Sequence, residues 1–296
     1  MLRICCAQFV TVLGTLLPFA TGWAADIEVI DDSGRAVTLA KPAERVITLT
    51  PHVTEMVFAA GGGKKIVATV TASDFPAAAR DIPRVGDGLQ PNPERIASFK
   101  PNLVFGWLPD QAEALEVLDV PVFISSPRSL EDIADNIETV GVLLGTSDIA
   151  REQAHLIRQK IDALTLPVDN RPALRVFVQA GSEPEYALGG EHIVSDIIAR
   201  CGGVNVFERS TTLAPKISVE GVIASKPDLV LIGRSGLTAT SSPDSVARDY
   251  WSGFGLSAAK NNQIYTIDAD MLYRPGPRLV DAAAQICKLI QSARKP

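Results

Sequence analysis

One stretch of this chain occurs twice, and the repeat limits the fold more than any other feature. Glu94-Arg-Ile-Ala-Ser-Phe-Lys-Pro-Asn-Leu-Val returns in register as Glu220-Gly-Val-Ile-Ala-Ser-Lys-Pro-Asp-Leu-Val. Each copy reads as a short helix, a Lys-Pro stop and a buried strand. A shared α/β packing rule would produce a similar pattern by itself. Identity of Glu, Lys, Pro, Leu and Val in register points instead to two duplicated lobes.

Strands and helices alternate around both copies. Residues 26–41 predict a hairpin turning at Asp32-Ser33-Gly34. Residues 46–49 predict a strand running into a helix: Thr50 and Pro51 suit its N-cap and first position, Val53, Met56, Val57 and Ala60 share a face, and Gly61 to Gly63 stop it. Strands at 66–70, 103–106 and 120–124 and helices at 92–99, 110–118 and 129–144 follow. The stretch 147–164 contains neither Gly nor Pro and sets Ala150, Ala154, Ile157, Ile161 and Leu164 on one face, as a long connecting helix would. After Pro172 the alternation restarts, with strands at 174–179, 229–232 and 264–267 and helices at 192–201, 221–225 and 279–293. The expected fold class is α/β: parallel-rich lobes at 25–146 and 167–296, joined by a single helix within 147–166.

Residues 1–24 read as a secretory signal peptide, with Arg3 ahead of an uncharged run and the small residues Gly22 and Ala24 before the cut. A retained anchor is the alternative, and Pro18 interrupts it. Lys plus Arg number 28 against 34 Asp plus Glu, a net charge of -6 without a basic run, which excludes nucleic acid as a partner. Cys5 and Cys6 fall in the signal, so an exported chain keeps Cys201 and Cys287. They are expected to form a disulfide, the alternative being two buried free thiols.

Two such lobes enclose a cleft, and ligands of parallel sheets collect beyond the carboxyl ends of strands. Thr50, Pro51 and His52 fall there in the first lobe, and Gln179 to Ser182, including Gly181, in the second. An enzyme reading fails on spacing. Gly233-Arg-Ser-Gly-Leu237 lacks the second glycine of a nucleophile elbow, and Gly61-Gly-Gly-Lys-Lys65 lacks the rest of a phosphate loop. His52, His155 and His192 lie far apart in the pattern and make no zinc or manganese motif.

Several motifs carry a family resemblance: Thr50-Pro-His-Val-Thr-Glu55, Ser73-Asp-Phe-Pro76, Asn92-Pro-Glu-Arg-Ile96, Gly106-Trp107, Gly190-Glu-His-Ile193, Cys201-Gly-Gly-Val-Asn-Val-Phe207, Ala214-Pro215 and Pro277-Arg278. The chain resembles periplasmic cobalamin-binding proteins, which feed a vitamin-importing ABC transporter. The resemblance implies a class III periplasmic-binding-protein architecture, a corrinoid ligand and no catalytic cofactor, and the chain is expected to be a monomer. It also implies that Glu94 and Glu220 dock onto a two-subunit permease, and that Trp107, Pro51, His52, Asp270, Tyr273 and Arg274 line the ligand cleft. Asp270 and Arg274 would bind amides on the corrin rim; a mutual salt bridge is their other reading. Where such proteins carry aromatics, this chain has Ala72, Gly88, Ala180 and Ala214, with Tyr186 and Tyr273 as possible replacements. His52 as an axial metal ligand is the sharper reading, a neutral cleft histidine the plainer one. Haem- and siderophore-binding relatives share several of these motifs, so ferric siderophore or haem is the alternative cargo. A haem binder would place a tyrosine in 85–89, which reads Val-Gly-Asp-Gly-Leu. An exported hydrolase is the remotest reading.

Overall fold

The computed structural model describes residues 26–164, 171–181, 185–236 and 241–294. The expected leader, Ser182 and Leu237 lie outside them. β1 (Ile27–Ile30) and β2 (Ala36–Leu39) form the antiparallel hairpin, with Val29 opposite Val37. β3 (Val46–Thr48) leads into α1 (Pro51–Ala59), followed by β4 (Ile66–Thr69), α2 (Pro93–Ser98), β5 (Leu103–Gly106), α3 (Pro109–Glu113) and β6 (Val122–Ile124). The single helix expected over 110–118 is broken: α3 stops, a 3-10 turn spans Glu116–Leu118, and Asp119 turns out with φ 50°. The strand expected from 120 begins only at Val122, because Pro121 has no N–H for a ladder.

α4 (Leu130–Leu144) and α5 (Ser147–Asp162) make an antiparallel pair. Gly141 permits their close approach, since a Cβ there would run into Ala150. α5 ends two residues short of the expected 164; Ala150, Ala154, Ile157 and Ile161 are buried on it, and Leu164 is buried just past its end. The second lobe contains β7 (Leu174–Gly181), β8 (Tyr186–Ala187), α6 (Val194–Arg200), β9 (Gly203–Asn205), α7 (Val219–Ser225), β10 (Leu229–Arg234), β11 (Ser241–Pro243), α8 (Ser245–Gly253), α9 (Ser257–Lys260), β12 (Ile264–Asp268), α10 (Ala269–Leu272) and α11 (Pro277–Ala293). Sequence patterning gave no sign of β8, β9, β11, α8, α9 or α10.

The first lobe's sheet runs β4-β3-β5-β6, all parallel. Parallel β9-β7-β10-β12 repeats that order in the second lobe, with β8 and β11 added antiparallel among the described residues. Val46 pairs with Leu103 as Val176 pairs with Leu229. The duplication therefore reaches back to strands whose sequences show little likeness. One apolar cluster runs through both lobes, from Val46, Phe105 and Phe123 through α1, α4 and α5 to Val176, Leu231, α6 and α11. Smaller clusters line the opposite sheet faces, Ile47 and Val104 with Ile96 of α2, and Phe177 and Val230 with Val222 and Trp251. Cys201 and Cys287 form the expected disulfide between the end of α6 and α11, with Cα atoms 4.7 Å apart. No helix among the described residues is long and apolar enough to cross a membrane.

Candidate functional site

In the first lobe, the strand ends are fixed by polar bonding beneath them. The hydroxyls of Thr48, Thr54, Thr69 and Ser73 form a buried cluster with oxygens 2.8–2.9 Å apart. It joins β3, α1 and β4 and holds the Ser73-Asp74-Phe75 loop in place. Asp32 of the hairpin accepts from the Ser126 N–H and Asn136 Nδ2, fixing the loop after β6. His52 Nε2–H donates to the Ser125 carbonyl in that loop at 3.2 Å.

His52 is 2% exposed and meets Trp107 edge to face, with ring centroids 5.5 Å apart. Burial pushes its pKa down to about 4, and the nearby Arg274 and His192 add to the effect, so the imidazole is neutral. Its Nε2 is engaged by the Ser125 carbonyl and its ring is packed against Trp107. Trp107 is half-buried, its main-chain N–H donating to Gln111 Oε1 at 2.6 Å. Gln111 Nε2 donates to the Gly88 carbonyl at 2.7 Å, so one buried glutamine fixes two cleft loops. Sequence reasoning missed it, because a glutamine in a short helix carries no pattern. Thr50, the N-cap of α1, makes no cap bond, and its buried Oγ1 has no hydrogen-bond partner among the described residues. Pro51 is half-buried at the first helical position.

The β12–α11 segment crosses to the first lobe. A Cβ on Gly276 would stand 3.1 Å from His52 Cβ. Arg274 binds Asp270 at 2.7 Å and, across the lobes, Asp74 at 2.9 Å. The salt-bridge alternative for Asp270 and Arg274 is therefore present, enlarged by a partner from the other lobe. Arg274 and the hydrogen bonds it donates hold the Asp74 carboxyl below its usual range against the opposing effect of desolvation. Tyr273 O–H donates to the Gln179 carbonyl at 2.6 Å and accepts from the Gly233 N–H at 2.7 Å; burial pushes its pKa up to about 12. Its hydroxyl bridges β7 and β10, which only a glycine at 233 permits.

Gly181 and Tyr186 lie at the far end of β7, a Cβ on Gly181 meeting the Tyr186 ring at 3.4 Å. Beside Gly181 lies a cavity of about 250 Å³ lined by residues including Gln179, Glu185, Arg234, Val246 and Tyr250. Buried Glu185 accepts from Gln179 Nε2 at 2.7 Å and from Tyr250 O–H at 3.1 Å. Tyr250, on the unforeseen α8, brings an aromatic ring to this strand end. Gly88 has φ +87°, and a Cβ there would strike the Leu49 carbonyl and Val70, so no aromatic side chain fits that position. Ala72 and Ala214 are exposed and Ala180 is half-buried.

A second ion pair joins the lobes. Arg278 donates to both carboxylate oxygens of Glu55, at 2.9 and 2.6 Å, and lies over the Phe75 ring at 4.4 Å. The Glu55 side chain is 3% exposed, and desolvation outweighs Arg278 to hold its pKa above the ordinary value. Removing one partner of such a pair leaves an uncompensated buried charge. Arg278→Ala is therefore expected to cost about 3 to 5 kcal/mol in denaturant unfolding. The loss should be greater at pH 8 than at pH 5, since a proton on Glu55 relieves it, and Glu55→Met with Arg278→Met should recover most of it. A single variant within about 1 kcal/mol of the parent at pH 8, the range of an exposed pair, would refute this.

Glu94 and Glu220 are exposed, each the second residue of its helix, in α2 and α7. Neither makes an ion pair with a described residue. Its own N–H and the Ser218 hydroxyl hold the Glu220 carboxyl below its ordinary range.

The family described as periplasmic binding protein matches residues 46–271. The vitamin B12-binding protein of Vibrio cholerae serotype O1 is 34% identical over 261 residues, which cover 86% of this chain and 91% of that protein. The crystal structure of the periplasmic vitamin B12 binding protein BtuF of Vibrio cholerae is similar with a TM-score of 0.76 at 32% identity, covering 86% of this chain and 99% of that one. The apo periplasmic heme-binding protein RhuT from Roseiflexus sp. RS-1 is similar with a TM-score of 0.70 at 25% identity, covering 86% and 100%. These relatives are binding proteins, not enzymes.

Proposed function

The chain belongs to the periplasmic binding protein family, and from that premise we propose that it captures a corrinoid, cobalamin, between its lobes and delivers it to an ABC importer of the inner membrane. The likeness to a vitamin B12-binding protein along 86% of the chain carries this reading. Residues 1–24 serve as the export signal, and the mature chain works in the periplasm as a monomer of two lobes, 25–146 and 167–296, joined through 147–166.

In this reading Trp107 offers a half-buried apolar face to a flat macrocycle while His52 supports it from the side. Thr50, whose hydroxyl has no partner among the described residues, and Pro51 form the helix start beside them. Arg274 and Asp270 supply hydrogen-bonding groups for the carboxamides of the rim, Arg274 aimed by Asp74. Tyr273 holds the second lobe's strand ends together, and Gly181 and Tyr186 form the far wall. Glu94 and Glu220 dock onto the two permease subunits, one carboxylate per lobe.

Titration calorimetry of the mature protein against cyanocobalamin, hemin and a ferric hydroxamate tests this. One-to-one binding of cyanocobalamin at a submicromolar Kd, about -8 kcal/mol or stronger, is expected. Heat from hemin or the ferric hydroxamate with none from cyanocobalamin would keep the transport role and replace the cargo.

A further inference from the structure

The two short helices that carry Glu94 and Glu220 are held by the same device. Arg45, just ahead of β3, donates from Nε to the Lys100 carbonyl at 3.1 Å and from Nη2 to the Phe99 carbonyl at 2.6 Å, closing the end of α2. Arg175, at the equivalent place on β7, donates from Nε and Nη2 to the Ser225 carbonyl at 2.9 and 2.6 Å, closing the end of α7. The surrounding bonds match as well. The Arg45 N–H donates to Asn102 Oδ1 and the Arg175 N–H to Asp228 Oδ2, while Asn102 and Asp228 return their N–H groups to the Arg45 and Arg175 carbonyls. Lys100 and Lys226 both adopt left-handed backbone, with φ 49° and 45°. Asn92 and Ser218 cap the opposite ends, accepting from the Arg95 and Gly221 N–H groups.

Helices of six and seven residues are too short to hold their own direction in water, so the bonds at their ends set it. A guanidinium fork on main-chain carbonyls is a charge-assisted tie of fixed geometry. We infer that Arg45 and Arg175 are paired positioning residues that present Glu94 and Glu220 in equivalent poses to a two-fold symmetric partner carrying one basic site per half. This rests on the docking role proposed for the two glutamates.

The test uses full-length mature protein loaded with cyanocobalamin and the cobalamin importer complex in nanodiscs. Arg45→Ala with Arg175→Ala is expected to weaken importer binding at least tenfold, to speed amide exchange in α2 and α7 but not in β5 and β10, and to leave cyanocobalamin affinity unchanged. Charge alone predicts the reverse, because losing two cations makes the chain more acidic and strengthens attraction to a basic partner. Arg→Lys at both sites keeps charge without the fork and should recover binding only in part. Glu94→Ala with Glu220→Ala is the reference. If it abolishes importer binding while the double arginine variant binds normally, the positioning role is wrong and the docking role stands. If it binds normally itself, the docking role falls, and the positioning role with it.

Discussion

Acidified from pH 7 to pH 4, the folded protein is expected to lose about 3 kcal/mol for each of His52 and His192, a drop comparable with the whole stability of many domains. Both rings are buried against the segment that carries Arg274. His52 touches Gly276, while His192 accepts from the Val194 N–H at its Nδ1 and hydrogen-bonds the Tyr273 main chain. Burial pushes both pKa values from 6.5 down to about 4. Folded-state values lie below the unfolded value, so the unfolded chain binds more protons between pH 6.5 and 4. Stability is therefore full above 6.5 and falls as pH drops through that window. The charged groups facing His52 act in one direction, since Arg274 and a protonated His192 both oppose its charge. Asp32 and Glu55 act oppositely: their raised values make the folded state the better proton acceptor, which offsets part of the loss near the lower end. Urea unfolding at half-unit pH steps should show a slope approaching two protons between pH 6 and 5. His52→Gln with His192→Gln should flatten it. A flat profile in the parent protein would mean that both rings titrate normally.

Much of the fold follows from local pattern, and the misses have common causes. β5 is a short apolar run buried along its whole length, and α4 combines helical periodicity with a cap, Ser129 accepting from the Asp132 N–H as its position suggests. β8, β9 and β11 have two or three residues each, too few for alternation to register, and they exist because long neighbours offer them an edge. The wider repeat was hidden because its remaining members are single residues in different local sequence. Arg45 precedes a strand and Arg175 lies in one, yet both close the same kind of helix end.

Legibility of the cleft was more uneven. Thr50 to His52 and Trp107 could be located because strand ends are predictable. What each can do depended on partners distant in sequence. The hydroxyl of Tyr273 bridges Gln179 and Gly233, a role that no local pattern around position 273 announces. Gly88 looks like a lost aromatic until the Leu49 carbonyl is seen filling the space a side chain would need. Gln111 and Tyr250 gave no sequence signal because each acts through a side-chain bond to another loop or strand end, and Asp74 stood in a flagged motif without any sign of its bond to Arg274.

Removing the Cys201–Cys287 bridge is expected to destabilise the protein by about 4 to 5 kcal/mol, because it closes a loop of sequence separation 86 and so restricts the unfolded chain. The chain-entropy figure is an upper bound, but the site favours a large fraction of it. Both cysteines are buried, at 1% and 4% exposure, in the apolar cluster that spans the lobes, so serines there would leave polar groups in an apolar setting. The bridge also fixes the end of α6 against α11. α11 begins with the segment that holds Arg278 on Glu55, and α6 follows the turn that presents His192 to Tyr273. Loosening that pair of helices should therefore weaken the inter-lobe ties as well as the second lobe. Denatured, unreduced mature protein should show no titratable thiol, and two should appear after reductant. Cys201→Ser with Cys287→Ser should shift the urea midpoint by the stated amount and lower cyanocobalamin affinity in calorimetry. A double variant with the parent's midpoint would mean that packing between α6 and α11 holds the lobe without the bridge.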